Sequence, residues 1–248
     1  MERGVSRALV VLGALLALGL GVSAFILGGK FRTIGDNTQK IVVKGLAEKP
    51  IEADLAEWSV GIRVIDSDFG ATLNALRQSR PELEVFLERH GFPASAREEG
   101  SEQVKPNMVD EYSEGHYRQV QQGYVGTQNI RVRSGDLQKI VTAHKEIIQL
   151  AAEGKPVVYA SPDYLVRDLE AIKMSLIGAA TENARQRAEE FAKVGKVRVG
   201  AMRSASQGAF YILPAHSDAG SDNYGGSYDK STIAKKARVV VTIEYGIN

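Results

Sequence analysis

Trp58, Val60, Ile62 and Val64 alternate with Ser59, Gly61 and Arg63. An apolar period of two commits residues 52–65 to a β-strand with one face buried and one face open. A strand of that kind cannot stand alone, so the rest of the chain has to supply both its neighbours and the layer that covers its apolar face. Ile41-Val42-Val43-Lys44 reads as a strand just upstream, ended by Gly45 and a turn at Lys49-Pro50. The two strands are expected to pair as an antiparallel hairpin.

Helical spacing follows. Ser67-Asp68 can cap a helix in which Phe69, Leu73, Leu76, Leu83 and Leu87 share a face up to Gly91. Pro81 lacks an N–H and should kink or split that helix after Arg80. Asp136 opens a second helix with Leu137, Ile140, Val141, His144, Ile148 and Ala151 on one face, stopped by Gly154. The third and longest spans 165–194, with the stripe Leu165, Leu169, Ile172, Leu176, Ala180, Ala184, Ala188 and Phe191.

Between the first two helices, residues 95–133 are polar and rich in Glu, Gln and Tyr, with strand character clearest over 117–133. They read as a long hairpin turning near Ser113-Glu114-Gly115. A hairpin with so few apolar residues needs something to lie against, and another subunit would serve. A short strand at 157–159 and two further strands at 197–214 and 237–245 complete the pattern, with a Gly/Ser/Asp loop at 215–231 before the last. Hairpins alternating with single helices indicate an α+β fold, mainly antiparallel sheet with helices on one face.

The N-terminus is of a different kind. Residues 8–29 carry no charge and are preceded by Arg3 and Arg7 and followed by Lys30 and Arg32. A helix of that length rises roughly 33 Å, enough to cross the hydrocarbon core of a bilayer. The expected organisation is a transmembrane anchor or signal segment at 1–29, a linker at 30–40 and an α+β domain at 41–248. An uncleaved anchor would leave a single-pass protein of the bacterial inner membrane with its C-terminal domain in the periplasm. Val22-Ser23-Ala24 also suits a signal peptidase, which would release a periplasmic or secreted protein. Gly13, Ala17 and Gly21 recur every fourth residue, a small-residue stripe that would let two such helices approach closely.

Charge and composition exclude several classes. Lys plus Arg is 31 against Asp plus Glu at 30, a formal charge of +1, so no long-range field draws the chain to nucleic acid. The most basic-looking stretch, 181–200, interleaves Arg185, Arg187 and Lys193 with Glu182, Glu189 and Glu190 opposite Ala184 and Ala188. That is a nearly neutral outer face on a packing helix. Cysteine is absent, which removes disulfides, thiolate catalysis and zinc–thiolate sites together.

A hairpin "VVKGLAEKPIEADLAEWSVGIRV", a strand and helix "YVGTQNIRVRSGDLQKIVTAHKEI", and a long helix "ATENARQRAEEFAKVGKVRVGAM" running into "SASQGAFYILP" occur in that order. Together they resemble the SIMPL-domain family of bacterial periplasmic or secreted proteins over roughly residues 41–245. Pro81, Lys44 and Lys49 depart from the pattern. The resemblance implies an exported α+β protein. Some members form large ring-like or channel-like homo-oligomers, and others are linked to oxidative-stress defence. It implies no shared catalytic residues.

No catalytic, cofactor or metal motif stands out. His90, His116, His144 and His216 are far apart, and none has ligand spacing to another. His116 lies near Asp110, Glu111 and Glu114 at the hairpin tip, and Asp218, Gly220 and Asp222 faintly follow a calcium loop without its closing Glu. The expectation is therefore a non-enzymatic protein without cofactor, membrane-tethered and homo-oligomeric. A monomeric tethered module binding an envelope protein or small ligand is the alternative. Tyr117, Tyr124, Tyr211, Tyr224 and Tyr228 are the candidate interface residues, since a tyrosine ring supplies contact area at small entropic cost.

Overall fold

The computed structural model describes residues 13, 15–25, 39–113, 115–217 and 226–248. Residues 15–25 are helical (α1). Among the described residues no helix is long and apolar enough to cross a membrane. The described residues from 39 onward form strands β1 (Lys40–Glu52), β2 (Leu55–Asp66), β3 (Arg97–Glu99), β4 (Gln103–Ser113), β5 (His116–Ser134), β6 (Val157–Tyr159), β7 (Asp163–Leu165), β8 (Val199–Pro214), β9 (Ser227–Tyr228) and β10 (Ala234–Ile247). Helices α2 (Phe69–Arg89), α3 (Leu137–Ala152) and α4 (Leu169–Val194) lie between them.

The class is α+β, but the strands form two sheets rather than one. The first runs β1-β10-β8-β9; the second runs β3-β5-β2-β6, with β4 also on β5 and β7 also on β2. Pairing is antiparallel throughout the second sheet, whereas β8 and β9 are parallel. Contacts divide the chain into two compact units, one of Met1–Ala47, Met174–Ala209 and Val239–Asn248, the other of Glu48–Lys173 and Phe210–Arg238.

In the larger unit the period of two at Trp58–Val64 does what alternation requires. Ala56, Trp58, Val60, Ile62 and Val64 are buried together with Ile130 and Val132 of β5. Leu76, Leu83, Phe86 and Leu87 of α2 and Ile140, Ala143 and Ile147 of α3 close over them, so both helices cover one face of β2–β5. Trp58 is 1% exposed, and its Nε1 donates to the Ala160 carbonyl at 2.9 Å, which satisfies the one polar atom it buries. Asp68 caps α2 by accepting from the Gly70 and Ala71 amides at 2.8 and 3.0 Å. The helix continues through Pro81 for 21 residues, so the expected split does not occur. On α3 Ile147 is buried in place of Ile148, which is expected inside but is 58% exposed.

Gly45 and Pro50 do not end β1, which runs straight through both. The expected β1–β2 hairpin does not form either. At the two-residue join the Ala53 amide donates to Ile233, whereas the next amide, Asp54, donates to Leu165, so β1 and β2 diverge into different sheets. Pro50 is tolerated because β1 is an edge strand. The third helix starts at Leu169, not at 165. Leu165 instead pairs with Leu55 in β7, and Asp168 accepts from the Ala171 amide at 3.2 Å.

In the smaller unit Ala180, Ala184, Ala188 and Ala192 form the buried stripe of α4. Gly45 explains why it is made of alanine. A Cβ placed on Gly45 would lie 2.0 Å from the Ala180 carbonyl oxygen and 2.8 Å from the Ala184 Cβ, so strand and helix backbones meet with nothing between them. The Leu46 amide donates to Asn183 Oδ1 at 3.0 Å across this contact. Phe191 is the correction on this helix: expected on the stripe, it is 64% exposed, and Ala192 takes the inward position.

Candidate functional site

Two exposed surfaces, one in each unit, stand out from the packed framework. The first is the far half of the β4–β5 hairpin. β2 runs alongside β5 only as far as the Asp66–Tyr124 pair. From Met108–Gln121 to Ser113–His116 the two strands pair with each other alone, which at ~3.3 Å per residue makes an arm roughly 20 Å long. Ser113 pairs with His116, so the strands reverse direction where the sequence places the turn.

The arm leaves the sheet at a built irregularity. The register shifts between Pro106 and Met108, and Asn107 Nδ2 holds the bulged strand by donating to the Gln122 carbonyl at 3.1 Å. Gly123 has φ of 72°, and a Cβ there would lie 2.2 Å from the Asp66 carbonyl oxygen. Only glycine combines that left-handed backbone with so close a pass.

Directly opposed residues share a face of the arm. One face carries Met108, Asp110 and Tyr112 against Gln121, Gln119 and Tyr117; the other carries Val109 against Val120 and Glu111 against Arg118. Arg118 donates twice to Glu111 Oε2, at 2.7 and 2.9 Å. Tyr112 and Tyr117 stack obliquely with centroids 5.0 Å apart, and are 63% and 78% exposed. Two bare aromatic rings on a two-stranded ribbon form a surface that water covers poorly.

The second surface lies on the smaller unit. A groove of 660 Å³ runs between β1 and the last turns of α4, lined by Val42, Lys44, Asn183, Arg187, Phe191 and Val194. A shallower depression continues it past Ile41, Val197 and Ile247. Val42, Phe191 and Val194 are 55%, 64% and 84% exposed.

Elsewhere on α4 the outer face is neutralised, as its sequence indicates. Arg185 donates to Glu182 at 3.1 Å and to Glu189 at 2.7 Å, and its hydrogen bonds hold the Glu182 carboxyl below the usual range.

The sequence candidates fall unevenly on these surfaces. Tyr117 is fully on the arm. Tyr124 is at its root, edge-on to Phe69 with centroids 5.8 Å apart. The hydroxyl of Tyr228 accepts from the Val166 amide at 2.9 Å and so fastens β9 in place. Tyr211 is partly buried in β8, where it pairs with Ser227. Tyr224, Glu114, Asp218, Gly220 and Asp222 lie outside the described residues. Gly13, Ala17 and Gly21 are exposed, and a Cβ on either glycine would meet nothing within 4 Å.

Tyr112 was missed: with Ser113 paired to His116, 112 falls opposite 117. Phe191 and Val194 were not legible, because the helical period assigns Phe191 to the core.

The histidines have structural roles where their contacts are seen. His144 packs edge-on to Trp58 and Tyr159, with centroids 6.0 and 5.9 Å away. The His90 ring nitrogens contact the Phe86 carbonyl at 2.8 Å and Glu146 of α3 at 2.9 Å, tying α2 to α3. Among the described residues no group of three or more His, Asp or Glu side chains is placed to hold a metal ion, and no buried side-chain polar atom lacks a partner.

A family model described as "SIMPL: Protein of unknown function (DUF541)" matches residues 41–245. A comparison with curated proteins finds no match.

Proposed function

The chain belongs to the SIMPL family, and from that premise we propose that it is a single-pass, membrane-anchored envelope protein whose exported domain assembles with copies of itself. It acts by assembly rather than by catalysis. The observation that carries this reading is the β4–β5 arm, which extends past β2 with Tyr112 and Tyr117 bare on one face. A two-stranded ribbon of this kind gains stability when a second surface covers it. The uncharged run at 8–29, long enough to span, supports the anchor.

Light scattering of the full-length protein in detergent tests the proposal. A discrete oligomer is expected, dissociating when Tyr112→Asp and Tyr117→Asp are combined. A monomer, or an oligomer of unchanged mass in the double variant, would remove the arm as the contact. The groove beside α4 favours a second reading, a tethered binding module, for which a monomer with saturable ligand binding would be the evidence.

A further inference from the structure

We propose that the Val42–Phe191–Val194 surface docks on the surface of an anionic lipid bilayer, so that the domain is held to the membrane at a second point. The inference rests on the anchor proposed for residues 8–29. Three observations on the smaller unit support it.

The first is apolar exposure. Val42, Phe191 and Val194 are more than half exposed and line one continuous depression with Ile41, Val197 and Ile247. An apolar cluster around one aromatic ring is suited to sit at the boundary of headgroups and acyl chains.

The second is charge. Lys44, Arg187, Lys193, Lys196 and Arg198 are all exposed on the same strand edge, the same helix end and the turn that follows it. Among the described residues none of the five has an ion-pair partner, in contrast to Arg185 one turn away. Glu190 is the one carboxylate lining the groove. Cations of this kind, next to exposed apolar side chains, match an anionic headgroup layer. Lys193 also suits the negative end of the helix, but Arg187 and Lys44 do not lie there.

The third is reach. Ten residues separate Gly29 from Lys40, where β1 begins. Ten residues span at most about 35 Å fully extended, so Ile41 and Val42 are bound to remain near the membrane face from which the anchor emerges. The local concentration of bilayer at this surface is therefore high, and a weak contact suffices.

The absence of cysteine makes single-cysteine reporters unambiguous. Full-length V194C and V85C, labelled with an environment-sensitive dye, would be reconstituted into vesicles of phosphatidylcholine with and without phosphatidylglycerol. Val85 is 54% exposed on α2 and serves as the reference. Expected is a blue shift at 194 and quenching by nitroxide-bearing lipid in the anionic vesicles only, weakened by high salt and lost on adding Arg187→Glu with Lys193→Glu. Emission at 194 as polar as at 85 would overturn the docking. So would a blue shift without lipid quenching, which would mean that a second protein copy covers the surface.

Flotation after an alkaline carbonate wash separates the two proposals. Protein that stays on the vesicles with position 194 in water keeps the anchor and overturns the docking. Protein removed by carbonate, but quenched by lipid at neutral pH, upholds the docking and overturns the anchor.

Discussion

Lys235, with no exposed surface, donates from Nζ to Asp229 Oδ2 at 3.0 Å and to the Asp229 carbonyl at 2.7 Å. The pair, with Lys235 fully buried and the Asp229 side chain 8% exposed, joins the start of β10 to the segment after β9. Asp229 also accepts from the Ser231 amide and hydroxyl and from the Thr232 hydroxyl. Removing the carboxylate leaves an ammonium stranded away from water, which costs about 3–5 kcal/mol. Asp229→Ala should therefore lower the urea midpoint sharply. Lys235→Met should cost less, because the carboxylate keeps its Ser231 and Thr232 donors.

The same pair sets an acid limit. Burial works against the charged carboxylate, but the hydrogen bonds from Thr232, Ser231 and Lys235 outweigh it and hold the Asp229 carboxyl well below the usual range. A folded pKa depressed in this way contributes stability that is complete above the unfolded value, about 3.9, and is lost as pH falls toward the folded value. Thermal midpoints recorded from pH 7 downward should show the difference between wild type and Asp229→Asn constant to about pH 4 and shrinking below it. A difference that shrinks between pH 7 and pH 5 would assign the stabilisation to another group.

Two glycines on the smaller unit should respond in opposite directions. Gly45→Ala forces a Cβ against the Ala180 carbonyl and should destabilise by about 1–3 kcal/mol or prevent folding. Gly178, exposed and mid-helix, has nothing within 4 Å of an added Cβ, so Gly178→Ala should stabilise by roughly 0.5–1 kcal/mol. Chemical denaturation of both variants measures the contrast.

Tyr117 and Tyr124 differ although both come from β5. Tyr117→Asp should change the stability of isolated protomers by less than about 0.5 kcal/mol, as at other open surface positions. Tyr124→Asp removes the edge-on contact with Phe69 and should cost on the order of 1 kcal/mol or more. Equal losses would mean that the arm is packed within its own protomer.

Trp58, the chain's one tryptophan, reports on the larger unit's core. Its emission should be blue and almost untouched by acrylamide until α2 and α3 separate from β2. Trp58→Phe should cost several tenths to about 2 kcal/mol, since the Ala160 carbonyl loses its donor.

Much of the local structure was written in the sequence. The buried face of β2, the Asp68 cap, the hairpin reversal between Ser113 and His116, the strand Val157–Tyr159 and the alanine stripe from Ala180 to Ala188 all follow from side-chain periodicity or short-range turn and cap signals. Those signals are complete within a few residues. The family, too, is carried by the order of such segments.

Tertiary structure alone decided what each segment lies against. Gly45 reads locally as a strand terminator, yet it is small because α4 passes over it, a contact between residues more than a hundred positions apart. Ala53 and Asp54 send consecutive amides to different places, to Ile233 just before β10 and to Leu165 of β7, and that divergence, invisible in either strand's alternation, separates β1 from β2. Phe191 fits the apolar period of α4, but Ala192 takes the inward position and continues the alanine stripe that packs closely on β1 at Gly45, so the ring turns outward. Periodicity defines a face; the distance to the neighbouring element decides which residues that face can bury.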